Sequence, residues 1–147
     1  MYSPIQLTDH KVLRLHFDTH VINGQAGELE FSHSLQIHQA TEQENLWLVR
    51  LDVFFKSIDE DAPSPYAGEI AVVGTFALKQ DFPEEKTHDM VYMNGGGILY
   101  GMVREIVVNL SSRAVHGSLL MPTLDARCFI PESQQSIAED RKGSEPL

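Results

Sequence analysis

The chain holds a single cysteine, Cys128, in 147 residues. That rules out an internal disulfide and any cysteine-built metal cage, and a structural thiol in a reducing compartment is the plain role left to it. Positive charge is scarce too. Eleven Lys and Arg face 21 Asp and Glu, for a net charge of -10 and a pI near 5.0. Nucleic acid is therefore not an expected partner, because its binding rests on neutralising phosphates with basic side chains. No apolar run approaches the roughly 20 residues a membrane helix needs, and the opening MYSPIQLTDH has neither a basic nor an apolar targeting region. No membrane insertion and a cytoplasmic location are the expectations. Nucleophile and nucleotide motifs are missing as well: no Gly-x-Ser-x-Gly elbow occurs, and Gly95-Gly96-Gly97 is not completed by Gly-Lys-Ser/Thr. No catalytic residue, nucleotide site or cofactor is expected.

What is present is a 42% hydrophobic composition suited to one ordinary domain over 1–147. Apolar residues alternate with polar ones at Leu13, Leu15, Phe17 and Val21, the period of a half-buried strand over 12–21, and Asn23-Gly24 marks a turn. Leu29–Gln39 repeats the alternation, with His33 on the inward face. In Leu46–Ser57, Trp47, Val49, Leu51, Val53 and Phe55 face one way, and Phe54 breaks the polar side. After the acidic loop 59–65, Tyr66–Leu78 is so continuously apolar that both its faces must be covered somewhere. Four successive strands over 12–78 joined by short loops argue for an antiparallel sheet.

A long crossover loop is expected over 79–97, with the three glycines as a flexible hinge, and then a helix over 98–113. At 100° per residue Ile98, Leu99, Met102, Val103, Ile106, Val107 and Leu110 share one half of that helix, while Tyr100 and Val108 fall on the polar side. Two readings fit: a helix contacted on two sides, by its own sheet and by another subunit, or a core helix with a few boundary residues. Gly117 and Pro122 mark an extended return over 117–130, and the polar tail 131–147 is expected to end in disorder, with at most a short helix at 136–141. The fold class is thus α+β, a four-stranded antiparallel sheet followed by one long helix, an extended return and a short or disordered C-terminal segment.

His16, Asp18 and His20 occur at i, i+2 and i+4 of one strand face, a spacing open to a divalent metal. The plain reading is a solvated polar face, so no metal site is expected. Phe82, Met90, Val91, Tyr92 and Met93, with Leu119, Leu120, Met121 and Leu124, put soft apolar side chains on two irregular segments. Such surface suits a site that accepts many apolar sequences, or it closes the core over the sheet edge.

The run Ile98-Leu99-Tyr100 to Val103-Arg104-Glu105-Ile106-Val107-Val108-Asn109-Leu110-Ser111-Ser112-Arg113, followed by Leu119-Leu120-Met121-Pro122 and Asp125, resembles the SecB family of export chaperones. Upstream, Gly68-Glu69-Ile70 and Gly74-Thr75-Phe76-Ala77-Leu78 look like that family's last strand. The resemblance implies an ATP-independent holdase, assembled as a dimer of dimers, that keeps unfolded polypeptides or preproteins in apolar grooves, with the Phe82–Met93 and Leu119–Leu124 residues above as client contacts. It also implies docking to the export motor ATPase SecA through Asp18 and Glu69, with Glu30 a possible neighbour, although Arg14 stands at or near a third acidic position. SecB-like chaperones paired with toxin-antitoxin systems offer a narrower role. The alternative from another class is a hot-dog enzyme or small-molecule binder, in which a sheet wraps a helix that comes before most of the strands.

Overall fold

The computed structural model describes residues 1–131. Strands β1 (Ile5–Thr19), β2 (Leu29–Gln39), β3 (Leu46–Ser57) and β4 (Tyr66–Leu78) form one antiparallel sheet in the order β1-β4-β3-β2. The first two strands therefore lie at opposite edges. Asn23 and Gly24 do bend the chain, Gly24 at φ 100°, but residues 20–28 make a crossing along the sheet end and no hairpin. Backbone bonds tie that crossing to neighbouring chain: His20 N–H to the Pro65 carbonyl at 2.7 Å, Gly27 N–H to Pro63 at 3.0 Å, and Ile58 N–H to Glu28 at 3.1 Å.

Strands β2, β3 and β4 have the bounds their patterns predict, whereas β1 begins at Ile5, well before residue 12. Its pairing with β4 slips between Leu7 and Asp9 and again between Val12 and Arg14. Each bulge resets the two-residue period, so no one alternation describes the strand. Because paired residues share a face, Ile5, Leu7, Val12, Leu15 and Phe17 stand on the side of buried Leu78, Phe76, Val72 and Ile70, while Arg14, His16 and Asp18 stand on the opposite side. Central β4 is flanked by two strands, and its consecutive Ile70, Ala71 and Val72 are all fully enclosed.

The expected crossover loop is largely helical. Helix α1 (Glu84–Met90) passes through a π turn (Val91–Gly95) directly into α2 (Gly96–Ser111), and the junction residues keep helical angles, Gly95 at φ -60°, ψ -49° and Gly96 at φ -60°, ψ -47°. Pro83, with extended ψ 125°, sets the start, and Glu84 and Glu85 complement the positive end of the helix in its first turn. The wider π turn puts an extra residue into the coil, which is why Met90 to Met93 carries no regular helical period.

The glycines act by close approach, and the hinge expectation is corrected. A Cβ on Gly95 would lie 3.1 Å from a Val49 methyl on β3, and one on Gly96 only 2.6 Å from the Phe129 ring. Helix α2 is buried along Gly96, Leu99, Tyr100, Val103, Val107 and Ser111. Compared with the expected arc, Ile98 and Leu110 are exposed and Tyr100 is covered. The cover on the Tyr100 side is this chain's own return, which runs without helix or strand to Asp125 and closes in a 3-10 turn (Ala126–Phe129). The expectations for the tail beyond residue 131, with its short helix at 136–141, lie outside the described residues.

Gly96→Ala and Gly97→Ala separate packing from helix propensity. A Cβ on Gly97 meets nothing within 4 Å, so Gly97→Ala is expected to raise stability in urea unfolding by up to about 1 kcal/mol. Gly96→Ala is expected to lose roughly 1–3 kcal/mol from overpacking against Phe129.

Candidate functional site

The helical layer covers only part of one sheet face, and the return is fastened along it like a strap. The Tyr66 hydroxyl donates to the Gly117 carbonyl, and the Tyr100 hydroxyl donates to the Pro122 carbonyl at 2.5 Å. Burial pushes both phenols up, so both keep the proton they donate. Between them, fully buried Ser111 donates to the Val107 carbonyl at 2.7 Å and accepts the Leu119 N–H at 2.7 Å. One hydroxyl thus joins the end of α2 to the strap.

Beyond Pro122, Asp125 accepts from the Arg127 backbone N–H at 3.0 Å and from its guanidinium. The guanidinium hydrogen bonds hold the Asp125 carboxyl down at about 2, so the turn is capped by a carboxylate at any neutral pH. Phe129, at the end of that turn, packs on Gly96, lies 6.1 Å from the Tyr100 ring and meets the His33 ring edge-on at 5.1 Å. Residues from β2, α2 and the strap thereby share one contact.

The expected client contacts separate by burial. Val91 and Met121 are at most 1% exposed and belong to the core, so their assignment to a binding surface is corrected. Leu120, the neighbour of Met121, is by contrast 69% exposed. Phe82, Met90, Leu119 and Leu124 are partly buried and packed against the core, and Tyr92 and Met93 are half-buried on the π turn. The 3-10 turn of the strap, beyond Leu124, packs on that π turn. Phe82 lies elsewhere, beside Trp47 and His88 in a cavity of about 700 Å³ at the sheet end where β3 begins.

An apolar strip that the strand pattern did not disclose lies along β1. Val12, Leu13 and Leu15 are 49–51% exposed, and Val12 and Leu15 share the helix-side face with the core. Alternation marks a residue as facing the apolar side, but only the strand order shows that β1 is an edge the helical layer leaves uncovered.

On the outer face, Asp18, Glu30 and Glu69 do come together, around a shallow depression of about 410 Å³ floored by Phe54. Two of the three carboxylates are engaged: Arg14 donates to Glu69 at 2.6 Å, and His16 pairs with Asp18 at 2.8 Å. Farther along, Arg50 grips Asp52 through two bonds of 2.9 and 3.1 Å. His20 lies past the end of β1 and uses its backbone N–H on Pro65, so the i, i+2, i+4 constellation does not share one strand face. Among the described residues no three His, Cys, Asp or Glu side chains gather as a metal site, and no helix is long and apolar enough to cross a membrane.

This arrangement of sheet, helical layer and strap matches a solved SecB-like chaperone of Mycobacterium tuberculosis with a TM-score of 0.61, over 82% of this chain and 88% of that one, at 17% identity. The fold is SecB-like. The neighbour was solved in complex with a ChAD peptide from an antitoxin. A Streptococcus agalactiae protein of unknown function aligns over 81% of this chain and 97% of its own at TM-score 0.47 and 10% identity. No family model and no curated protein matches the chain. Within the SecB-like frame, the helix that follows all four strands and lies on one face of the sheet, leaving the other face to Phe54 and Leu48, departs from the wrapped helix of a hot-dog fold.

Ser111→Ala leaves the Leu119 N–H without its acceptor and is expected to cost about 1–3 kcal/mol in urea unfolding, with limited proteolysis moving to the strap. Burial lowers the pKa of His33, so the unfolded state takes up a proton before the folded one does. Stability is then expected to be level above about pH 6.5 and to fall as pH drops below it. His33→Leu should flatten that slope, measured as urea midpoint against pH.

Proposed function

We propose that this chain is a SecB-like chaperone that holds unfolded polypeptide without ATP. The observation that carries the reading is apolar surface left open beside a firmly strapped helical layer: Val12, Leu13 and Leu15 along β1 and Leu120 on the strap. An unfolded client offers apolar side chains and unpaired backbone, and an uncovered edge strand with an apolar flank can receive both. Binding the unfolded form in preference to the folded one delays folding by mass action, and no bond need be made or broken. This is a binding role and not an enzymatic one, carried out in the cytoplasm.

The same exposed features bear on assembly. The open β1 edge, with Ile98 and Leu110 on the uncovered side of α2, offers a second copy both a strand to pair with and a helix to pack on. A dimer of dimers is the proposed assembly. Clients and copies of the chain would then divide the open apolar surface between them.

A dedicated client, such as an antitoxin, is favoured over general export by the outer face. Arg14 neutralises Glu69 across a 2.6 Å ion pair, and His16 engages Asp18. Docking of SecA through these two carboxylates would compete with both pairs, and the Arg14 charge would repel a cationic partner.

The test is suppression of light scattering as a chemically unfolded protein is diluted into buffer without nucleotide. Suppression that ATP does not change is expected, weakened by Leu120→Asp with the assembly mass unchanged in sedimentation. A client that aggregates at the same rate in the presence of excess chain would overturn the reading.

A further inference from the structure

The sheet end where β3 begins carries a feature that the strap and the β1 strip do not use. Trp47 is 4% exposed, yet its indole Nε1 has no hydrogen-bond partner among the described residues. A buried N–H without an acceptor is costly, and native structures keep few of them. The ring lines the cavity of about 700 Å³, within the roughly 300–1,000 Å³ of small-ligand sites.

The wall opposite the sheet is lightly anchored. Helix α1 has no fully buried residue and no side-chain cap, and it meets the core through Met90, the His88 ring on Trp47 and the π turn that follows it. From it, Glu84, Thr87 and His88 face the cavity, and the His88 ring stands edge-on to Trp47 at 5.3 Å. A helix so held can swing on the π turn at small cost and bring the indole N–H within reach of an incoming acceptor.

The remaining lining says what that acceptor is. Leu78 and Phe82 supply apolar surface beside Trp47, while Gln43 and Gln80 supply side chains that both donate and accept. Two carboxylates, Glu44 and Glu84, outweigh the one cation, Lys79, so a free carboxylate is opposed and a neutral carbonyl is not. We infer that this cavity is an anchor site for an extended, uncharged stretch of polypeptide, which places an apolar side chain against Leu78 and Phe82 and gives a main-chain carbonyl to the Trp47 N–H. The inference rests on the chaperone reading, since it names the part of a client that this end of the sheet takes, but it has its own readout.

Trp47 is the only tryptophan, so the full chain reports on the cavity through its own fluorescence. The probe is a nine-residue peptide rich in Leu and Phe, acetylated and amidated at its ends, and the expected result is a saturable change in Trp47 emission. By anisotropy with a dye on the peptide, Trp47→Phe, which keeps a ring and loses the N–H, should weaken binding by roughly 3- to 10-fold. Thr87→Trp, which fills the cavity from the α1 side, should weaken it at least as much with the circular dichroism unchanged. Emission that stays constant while the labelled peptide saturates would overturn the site, and so would wild-type affinity in Thr87→Trp. Tighter binding of the same peptide with a free carboxylate end would overturn the neutral-carbonyl assignment. Suppressed aggregation with a silent Trp47 would sink the anchor site and leave the chaperone reading standing, whereas a responding Trp47 without suppression would do the reverse.

Discussion

The structure depends on how closely a helix can approach a sheet. At Gly95 and Gly96 there is no side chain to hold the backbone of the helical layer away from Val49 on one side and Phe129 on the other. Dispersion contacts fall off steeply with a gap of even half an ångström or so, so this seat sets the quality of packing for Leu99, Val103 and Val107 farther along, all fully buried. The low helix propensity of glycine is the local cost, and tertiary contact offsets it. The π turn just before the seat is the accompanying irregularity, and it gives the first helical segment a direction and a stability of its own.

The sheet's two faces follow different rules. The helix-side face is filled by Val49, Leu51, Val53, Ile70, Val72 and Phe76, all fully enclosed, and no ion pair lies there among the described residues. The outer face carries ion pairs arranged across and along strands, Arg14 with Glu69 and Arg50 with Asp52. The exposed Arg14–Glu69 pair contributes little to stability, but both pairs decide which charges remain available to a partner. Both carboxylates implied in docking, Asp18 and Glu69, are engaged within the chain, the first by His16 and the second by Arg14.

The proposed chaperone role needs adaptable apolar surface and a fold that does not loosen when that surface is used. The strap meets both needs by alternation: Met121 is driven into the core while Leu120, its neighbour, stands outside. Four polar fastenings, from Tyr66, Tyr100, Ser111 and Asp125, hold the strap's backbone in place. The only described residues that leave a buried side-chain nitrogen without a partner are Trp47 and Arg104, and Trp47 stands at the weakly held end of the helical layer.

Strands β2, β3 and β4 were legible because they lack bulges, so one alternation describes each from end to end, and a half-buried strand has no other way to separate its faces. Phe54 and the inward His33 were legible for the same reason. The start of β1, the helix through 84–95 and the core role of Val91 and Met121 were not. Bulges and a π turn each add a residue and erase the period that a pattern search relies on, and three glycines read locally as a break. What the sequence alone determined is the α+β order of elements and the sign of each strand face, because both are set by short-range periodicity. What the tertiary structure decided is which strand forms the uncovered edge, which carboxylates are already paired, and that glycine here is a place of contact, because each depends on residues far apart in the chain that only the fold brings together.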